Sequence, residues 1–185
     1  MVDRDDGPGG KACGELVTPK AVHAFAQCGV PEDQLARFHR ITHLRLTAGD
    51  SSSSTRWPAH DRYPDHGYVV PRRDLDELLV DRAVAGGATV LRGHEATAPI
   101  VSRGFVRGAH VTHPDGDSFE VRATFTVVAD GANSRFGRAL GTYREPAWPW
   151  AIAQRAVYPS ALHDAAEAEL VLGLTDRAGT PINGY

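Results

Sequence analysis

The sequence predicts a mixed α/β fold with parallel pairing in one region and an antiparallel sheet in another, and three stretches carry that prediction. Residues 67–91 read as a strand, an amphipathic helix and a returning strand, an order that implies a parallel crossover. Residues 96–122 alternate like an antiparallel meander. Residues 124–129 form a near-continuous apolar run, suited to a strand covered on both faces, which ends at Asp130-Gly131 and leads into a helix.

In chain order, the first element is a helix from Pro19 to Gly29. Ala21, Val22, Ala24, Phe25 and Cys28 fall at helical spacing, Thr18 is placed to cap the start and Gly29 to stop the end. Arg40 to Thr47 alternates as one strand, and Ser51 to Ser54 reads as a solvated loop or hairpin tip. Gly67 to Pro71 is a short strand. The helix from Arg72 to Val84 turns Leu75, Leu78, Leu79, Ala83 and Val84 inward, Gly86-Gly87 stops it, and 88–91 returns as a strand. Asp74, Asp76 and Glu77 are expected to stabilise the start of that helix through its dipole. The meander runs from Ala96 to Val101, Phe105 to Thr112 and Phe119 to Arg122, with a turn at Pro114-Asp115-Gly116-Asp117. A helix from Arg135 to Leu140 is stopped by Gly141, with Asn133 or Ser134 as its cap. Trp150 to Tyr158 and Glu167 to Leu174 read as strands of another sheet.

Composition bounds the function. The 185 residues are 42% hydrophobic and 23% charged, which suits a globular domain and not a disordered chain. Twenty basic and 23 acidic side chains leave a formal charge of −3, so no polyanion footprint marks a nucleic-acid partner. Cys13 and Cys28 make neither a redox pair nor a disulfide framework, and no export signal or run of apolar residues long enough to span a membrane is visible. These features point to a reducing, cytoplasmic location.

Several residues have chemistry in reach. Arg72 follows a short strand, where a guanidinium can clamp a phosphate with two hydrogen bonds, while Arg73 reads as a solvated neighbour. Asp130-Gly131 lies at the carboxyl end of the apolar run, where ligands bind in open α/β sheets; the alternative is a simple Asx-type turn. Cys13-Gly14-Glu15 offers a thiol, a flexible backbone and a carboxylate, or a plain semi-buried turn. Gly7 to Ala12 formally fits G-x-G-x-x-A, but with no strand before it a flexible N-terminal loop is expected. His60-Asp61 and Asp65-His66 read as solvent-facing loop residues, and His110 with His113 as two imidazoles on one strand face; none has a catalytic zinc spacing.

Three motifs in order, Lys11-Ala12-Cys13-Gly14-Glu15 with Thr18-Pro19-Lys20-Ala21-Val22, then Tyr68 to Leu79 containing R-x-x-L-D, then Val128-Ala129-Asp130-Gly131-Ala132-Asn133-Ser134, resemble the geranylgeranyl reductase family. That family belongs to the FAD-dependent oxidoreductases related to the aromatic hydroxylases. The resemblance implies a partial Rossmann-like FAD-binding fold interleaved with an antiparallel substrate-domain sheet. It implies FAD as cofactor, NAD(P)H as a donor, and a small hydrophobic or aromatic substrate, with peripheral membrane contact if that substrate is a lipid. Arg72 then corresponds to the FAD-contacting arginine, Asp130 and Gly131 to a motif near FAD and the nicotinamide, Cys13 and Gly14 to the pair beside the isoalloxazine ring, and Ala96 to a backbone passing the adenine.

Leu16 stands where relatives usually have glycine. The family's first strand, Gly-rich loop and ribose-binding acidic residue are expected ahead of Met1, and its C-terminal part beyond Tyr185. The expected organisation is 1–39 as FAD-domain loop and helix, 40–66 as substrate-domain segment, 67–147 as FAD domain with meander, and 148–185 as the start of the substrate sheet. The leading reading is thus a fragment of an FAD-dependent reductase. The alternatives are a flavin-dependent aromatic monooxygenase, a non-catalytic binding module without FAD and, last, a histidine-based metalloenzyme.

Overall fold

The structure, a computed structural model, describes residues 1–8, 11–142, 145, 147 and 152–184. In chain order its elements are β1 (Leu16–Val17), α1 (Pro19–Gln27), α2 (Glu32–Leu35), β2 (His39–Ile41), β3 (His43–Ala48), β4 (Ser51–Arg56), β5 (Gly67–Val69), α3 (Arg72–Ala85), β6 (Glu95–Ser102), β7 (Phe105–Thr112), β8 (Ser118–Arg122), α4 (Arg135–Ala139), β9 (Glu167–Thr175) and β10 (Pro181–Gly184). They fall into two compact units, one of Gly10–Arg82 with Ala153–Tyr185 and one of Met1–Gly9 with Ala83–Ile152.

In the first unit, α1 forms as the sequence predicts. Thr18 is its N-cap, accepting the Ala21 amide at 3.4 Å, Pro19 supplies a preset φ, and Gly29 leaves the helix at φ +77°. Its buried face, Pro19 and Val22, joins a core of Val17, Val30, Leu35, Tyr68, Val70, Leu75 and Leu78. Leu35 and Val70 are fully buried, and each such side chain contributes about 1.5–3 kcal/mol of transfer free energy. This core is built around β5, which pairs antiparallel with β1 on one side and β2 on the other. Gly67 makes the close approach feasible, because a Cβ there would run into the Val17 carbonyl.

The alternating stretch 40–47 is two strands in two sheets. The chain leaves β5 after Ile41, the amides of Thr42 and His43 both turn to the Ala166 carbonyl at 2.9 and 3.1 Å, and β3 begins a four-stranded sheet of order β10-β9-β3-β4. The serine run is also a strand. β4 pairs with β3 residue by residue across the turn Gly49-Asp50, where Gly49 takes φ +56°. Ladder bonds and the Ser54–Glu167 contact override the weak strand propensity of serine. β9 forms where the sequence predicts a strand, at Glu167 to Leu174; it runs parallel to β3, and Arg45 on β3 donates to Glu167 on β9 at 2.6 Å.

In the second unit the meander forms as expected, in order β6-β7-β8. Its first turn has both central residues at positive φ, Arg103 at +51° and Gly104 at +80°, which matches the right-handed twist of the strands. Ala109, Val111 and Phe136 form its core. Ser134, and not Asn133, caps α4, accepting the Gly137 amide at 2.6 Å.

Four further expectations fail. Residues 88–91 are not a strand returning beside β5: they make an isolated parallel bridge, Val2 to Leu91, because residues 1–3 supply the partner backbone. Residues 124–129 are no strand, and Phe125 and Val127 are 87% and 88% exposed, because no described strand pairs with them. Residues 152–158 are likewise unpaired, with Val157 and Tyr158 exposed, while Trp150 and Ala151 lie outside the described residues. Val84 is exposed, since the inward face of α3 ends with Leu78 and the half-buried Leu79. Gly9 and Gly10 of the glycine-rich N-terminal segment also lie outside the described residues.

Candidate functional site

Arg72 opens α3, placed by β5 and by Pro71, whose carbonyl accepts the Leu75 amide at 3.0 Å. Its Nη2 donates to Asp76 Oδ1 at 2.5 Å, and Lys11 Nζ donates to Asp76 Oδ2 at 2.9 Å. Two cations thus share one carboxylate, leaving a local excess of positive charge. The Arg72 Nε is buried with no hydrogen-bond partner. A buried donor left unsatisfied is costly, and an anion clamped in the manner of a phosphate would relieve it. The residues present therefore fit an anionic cofactor group. Asp76 lies past the first turn of the helix, so its role as the partner of Arg72 and Lys11 replaces the expected dipole role.

Cys13 is an exposed free thiol in the segment leading to β1, its amide turned back to the Lys11 carbonyl at 2.9 Å. Gly14 follows it, and Glu15 is held by an ion pair with Arg155 and by its carbonyl, which accepts the Val70 amide at 2.8 Å. Leu16 pairs with Val69 in β1, a position where strand geometry suits a branched side chain.

In the other unit, Ala96 lies on β6 opposite Val111 and packs on the meander core. The register shifts between Ala96 and Ala98, a bulge of the kind that re-aims side chains beside sites. A cleft of about 270 Å³ opens here, lined by Glu95 and Thr97 on either side of Ala96, and by Arg4, Gly93 and His113. Residues 1–3 run alongside 89–94, with Asp3 donating its amide to the Leu91 carbonyl at 2.9 Å and accepting from His94 at 2.9 Å. Asp3 therefore sits at the carboxyl end of a parallel segment. Sequence reasoning missed it, because two residues before an acid are too few to show a strand pattern. Asp130 is exposed, and its carboxylate has no hydrogen-bond partner among the described residues, so the alternative of an Asx-type turn is not made. Gly131 takes φ +88°, a conformation reserved for glycine, and its carbonyl accepts the Ser134 amide at 3.2 Å.

His66 differs from its expected solvent-facing placement. It is buried, with Nε2 at 2.7 Å from Glu32 and 3.1 Å from the Tyr68 hydroxyl, and Nδ1 at 2.9 Å from Arg40 and 3.1 Å from Asp65. The hydrogen bond from His66 is the largest cause holding the Glu32 carboxyl below its ordinary value, while burial, followed by the bond to Glu32, raises Tyr68 to about 12. The cluster ties α2 to β5 and is structural in geometry. His110 and His113 do not share a face: β7 ends at Thr112, a three-residue offset alternates sides, and the His113 ring lies 4.8 Å from that of His94. Among the described residues no cluster of metal-ligating side chains could hold an ion, and no helix is long and apolar enough to cross a membrane.

The chain is 30% identical over all 185 residues to a menaquinone reductase of Mycobacterium tuberculosis, covering 44% of that protein. It is 40% identical over 129 residues, 70% of this chain and 31% of the relative, to a digeranylgeranylglycerophospholipid reductase of Methanospirillum hungatei. Among solved structures it resembles a geranylgeranyl bacteriochlorophyll reductase-like protein of Thermoplasma acidophilum, at 26% identity and TM-score 0.61, over 75% of this chain and 32% of that one. The chain thus spans less than half the length of these relatives. The expected partial FAD-binding fold is borne out, and with residues 1–168 matching its description, the chain belongs to the FAD binding domain family.

Proposed function

We propose that this chain is the cofactor-holding portion of an FAD-dependent oxidoreductase of the geranylgeranyl reductase type, acting on a small hydrophobic substrate. The observation that carries the reading is Arg72 at the head of α3, paired to Asp76 and with a buried Nε lacking a partner. FAD, when bound, supplies transfer of a hydride equivalent, which protein side chains cannot perform alone.

The chain's own residues bind and orient. Asp76 fixes the plane of the Arg72 guanidinium, and Lys11 beside it adds charge for a phosphate. In the other unit, Asp3 accepts a ribose hydroxyl, the role an acid fills at such a strand end, and the backbone of Ala96 with its cleft takes the adenine. Asp130, with no partner of its own, accepts from a cofactor hydroxyl, and Gly131 keeps its turn open. Cys13, whose thiol is exposed, and Gly14 are the residues that would lie at the isoalloxazine ring.

NAD(P)H is the donor in this reading, the location is cytoplasmic, and membrane contact is peripheral, through a lipid substrate. The names of the two curated relatives, both reductases, favour reduction over hydroxylation. The test is a titration of the 185-residue chain with FAD, read by flavin absorbance and fluorescence. Saturable one-to-one binding that Arg72→Ala weakens by roughly 1.5–3 kcal/mol supports the reading. A folded chain that binds no FAD overturns it in favour of a binding module without cofactor.

A further inference from the structure

A second cleft, of about 260 Å³, lies within the unit containing α1 and away from the Arg72 pair in sequence and chemistry. Its lining includes Trp57, His60 and Tyr63, together with Pro19 and Lys20 from the first turn of α1. The His60 and Tyr63 rings are stacked, 4.2 Å apart and 16° from parallel, and His23 meets Tyr63 edge-on at 5.4 Å. Aromatic side chains of this kind at a cleft favour a planar conjugated ligand over a flexible aliphatic one.

The polar groups around this surface are donors. The Lys20 ammonium is exposed and, unlike that of Lys11, has no ion pair among the described residues. The Arg62 amide donates to His60 Nδ1 at 3.0 Å, so a neutral His60 carries its proton on Nε2. The Trp57 indole N–H is buried without an acceptor. A cleft with aromatic walls and donors but no carboxylate selects a ring that brings its own acceptor oxygen.

From this we infer that the cleft of Trp57, His60, Tyr63 and Lys20 binds a planar conjugated ring bearing a carbonyl or carboxylate oxygen. The ring packs against the aromatic surface that the His60–Tyr63 stack forms, and Lys20 and His60 hold the oxygen. The inference rests on the proposed oxidoreductase reading only for the site's role, which is to take the ring-bearing end of the substrate. Binding itself requires no FAD.

The probes are 2-naphthoate, the neutral 2-naphthylmethanol and the aliphatic decanoate, titrated calorimetrically into the chain without FAD. Naphthoate is expected to bind one-to-one and at least about tenfold more tightly than decanoate. Tyr63→Ala should weaken naphthoate by about tenfold, and Lys20→Gln by about twofold to fivefold while leaving the alcohol unchanged. Lys20 is exposed and unpaired, so its variant folds whatever becomes of the Tyr63 one. Decanoate binding as tightly as naphthoate, or naphthoate indifferent to Lys20→Gln, overturns the inference. A parallel FAD titration of the same sample separates the two readings, since ring binding without FAD binding breaks only the cofactor assignment.

Discussion

Two apolar runs of similar composition meet opposite ends in this molecule. Gly67-Tyr68-Val69 becomes the central strand β5 and leads into Val70, with Tyr68 and Val70 buried, whereas residues 124–129 are unpaired and, apart from the half-buried Thr126, exposed. Hydrophobicity does not separate them. The first has β1 and β2 on its two sides and α1 and α3 residues against its face; the second has no described strand at either side. A strand's burial belongs to its neighbours as much as to its own residues, because a backbone whose N–H and C=O groups lack a ladder gains more from water than from a core.

Breaking the first run should have the largest effect. Val70→Asp puts an unpaired charge into a site of zero exposure and is expected to cost about 4 kcal/mol or more, seen as loss of the cooperative melt. Val127→Asp, at an 88% exposed position, should shift stability by no more than about 0.5 kcal/mol. Equal losses in the two variants would show that 124–129 is packed in solution. Next comes Gly67→Ala, where the new Cβ meets the Val17 carbonyl. Separating β1 from β5 should cost about 1–3 kcal/mol in urea unfolding.

Smaller effects sharpen the picture of what holds β5. Tyr68→Phe removes a hydroxyl that donates to Glu32 at 3.0 Å and should cost about 1 kcal/mol near neutral pH. Tyr68 titrates at about 12 in the fold against 10.0 in the ordinary case, so its proton is bound more tightly when folded. The stabilisation is complete below pH 10 and is lost as pH rises from 10 toward about 12. The Phe variant should therefore show a flatter alkaline limb in Tm against pH. Glu32 has the opposite sign. Its carboxyl is held below 4.5, chiefly by the hydrogen bond from His66, so its contribution is present above that value and fades as pH falls through the lower folded one. Glu32→Gln should flatten the acid limb only slightly, because its half-exposed side chain is screened by water.

The sequence was legible wherever a signal and its cause sit close together. Thr18, Pro19 and Gly29 bracket α1, and alternation with tight turns gives the meander, since cap and turn chemistry act over a few residues. It was misleading where partners decide. The run 40–47 alternates without a break although it serves two sheets, and the switch at Thr42 depends on a carbonyl more than a hundred residues away. Ser51 to Ser54 look like a loop until β3 offers them a ladder. At the candidate site Arg72 could be read from its motif, but its sharing of Asp76 with Lys11 could not. The burial of His66 likewise depends on Glu32, 34 residues earlier.

The parallel pairing of β3 with β9 has a consequence for the order in which the chain assembles. Arg45 and Glu167 stand 122 residues apart, so their strands meet only after a long loop has closed, while β6, β7 and β8 need only local turns. High contact order slows such a step and leaves it until late. On a ribosome, the meander can form while β3 and β4 wait as a lone hairpin, its β3 edge unpaired until β9 emerges to cover it. That waiting hairpin is the part of the nascent chain most open to mispairing, and its polar serine edge would keep it soluble in the interval.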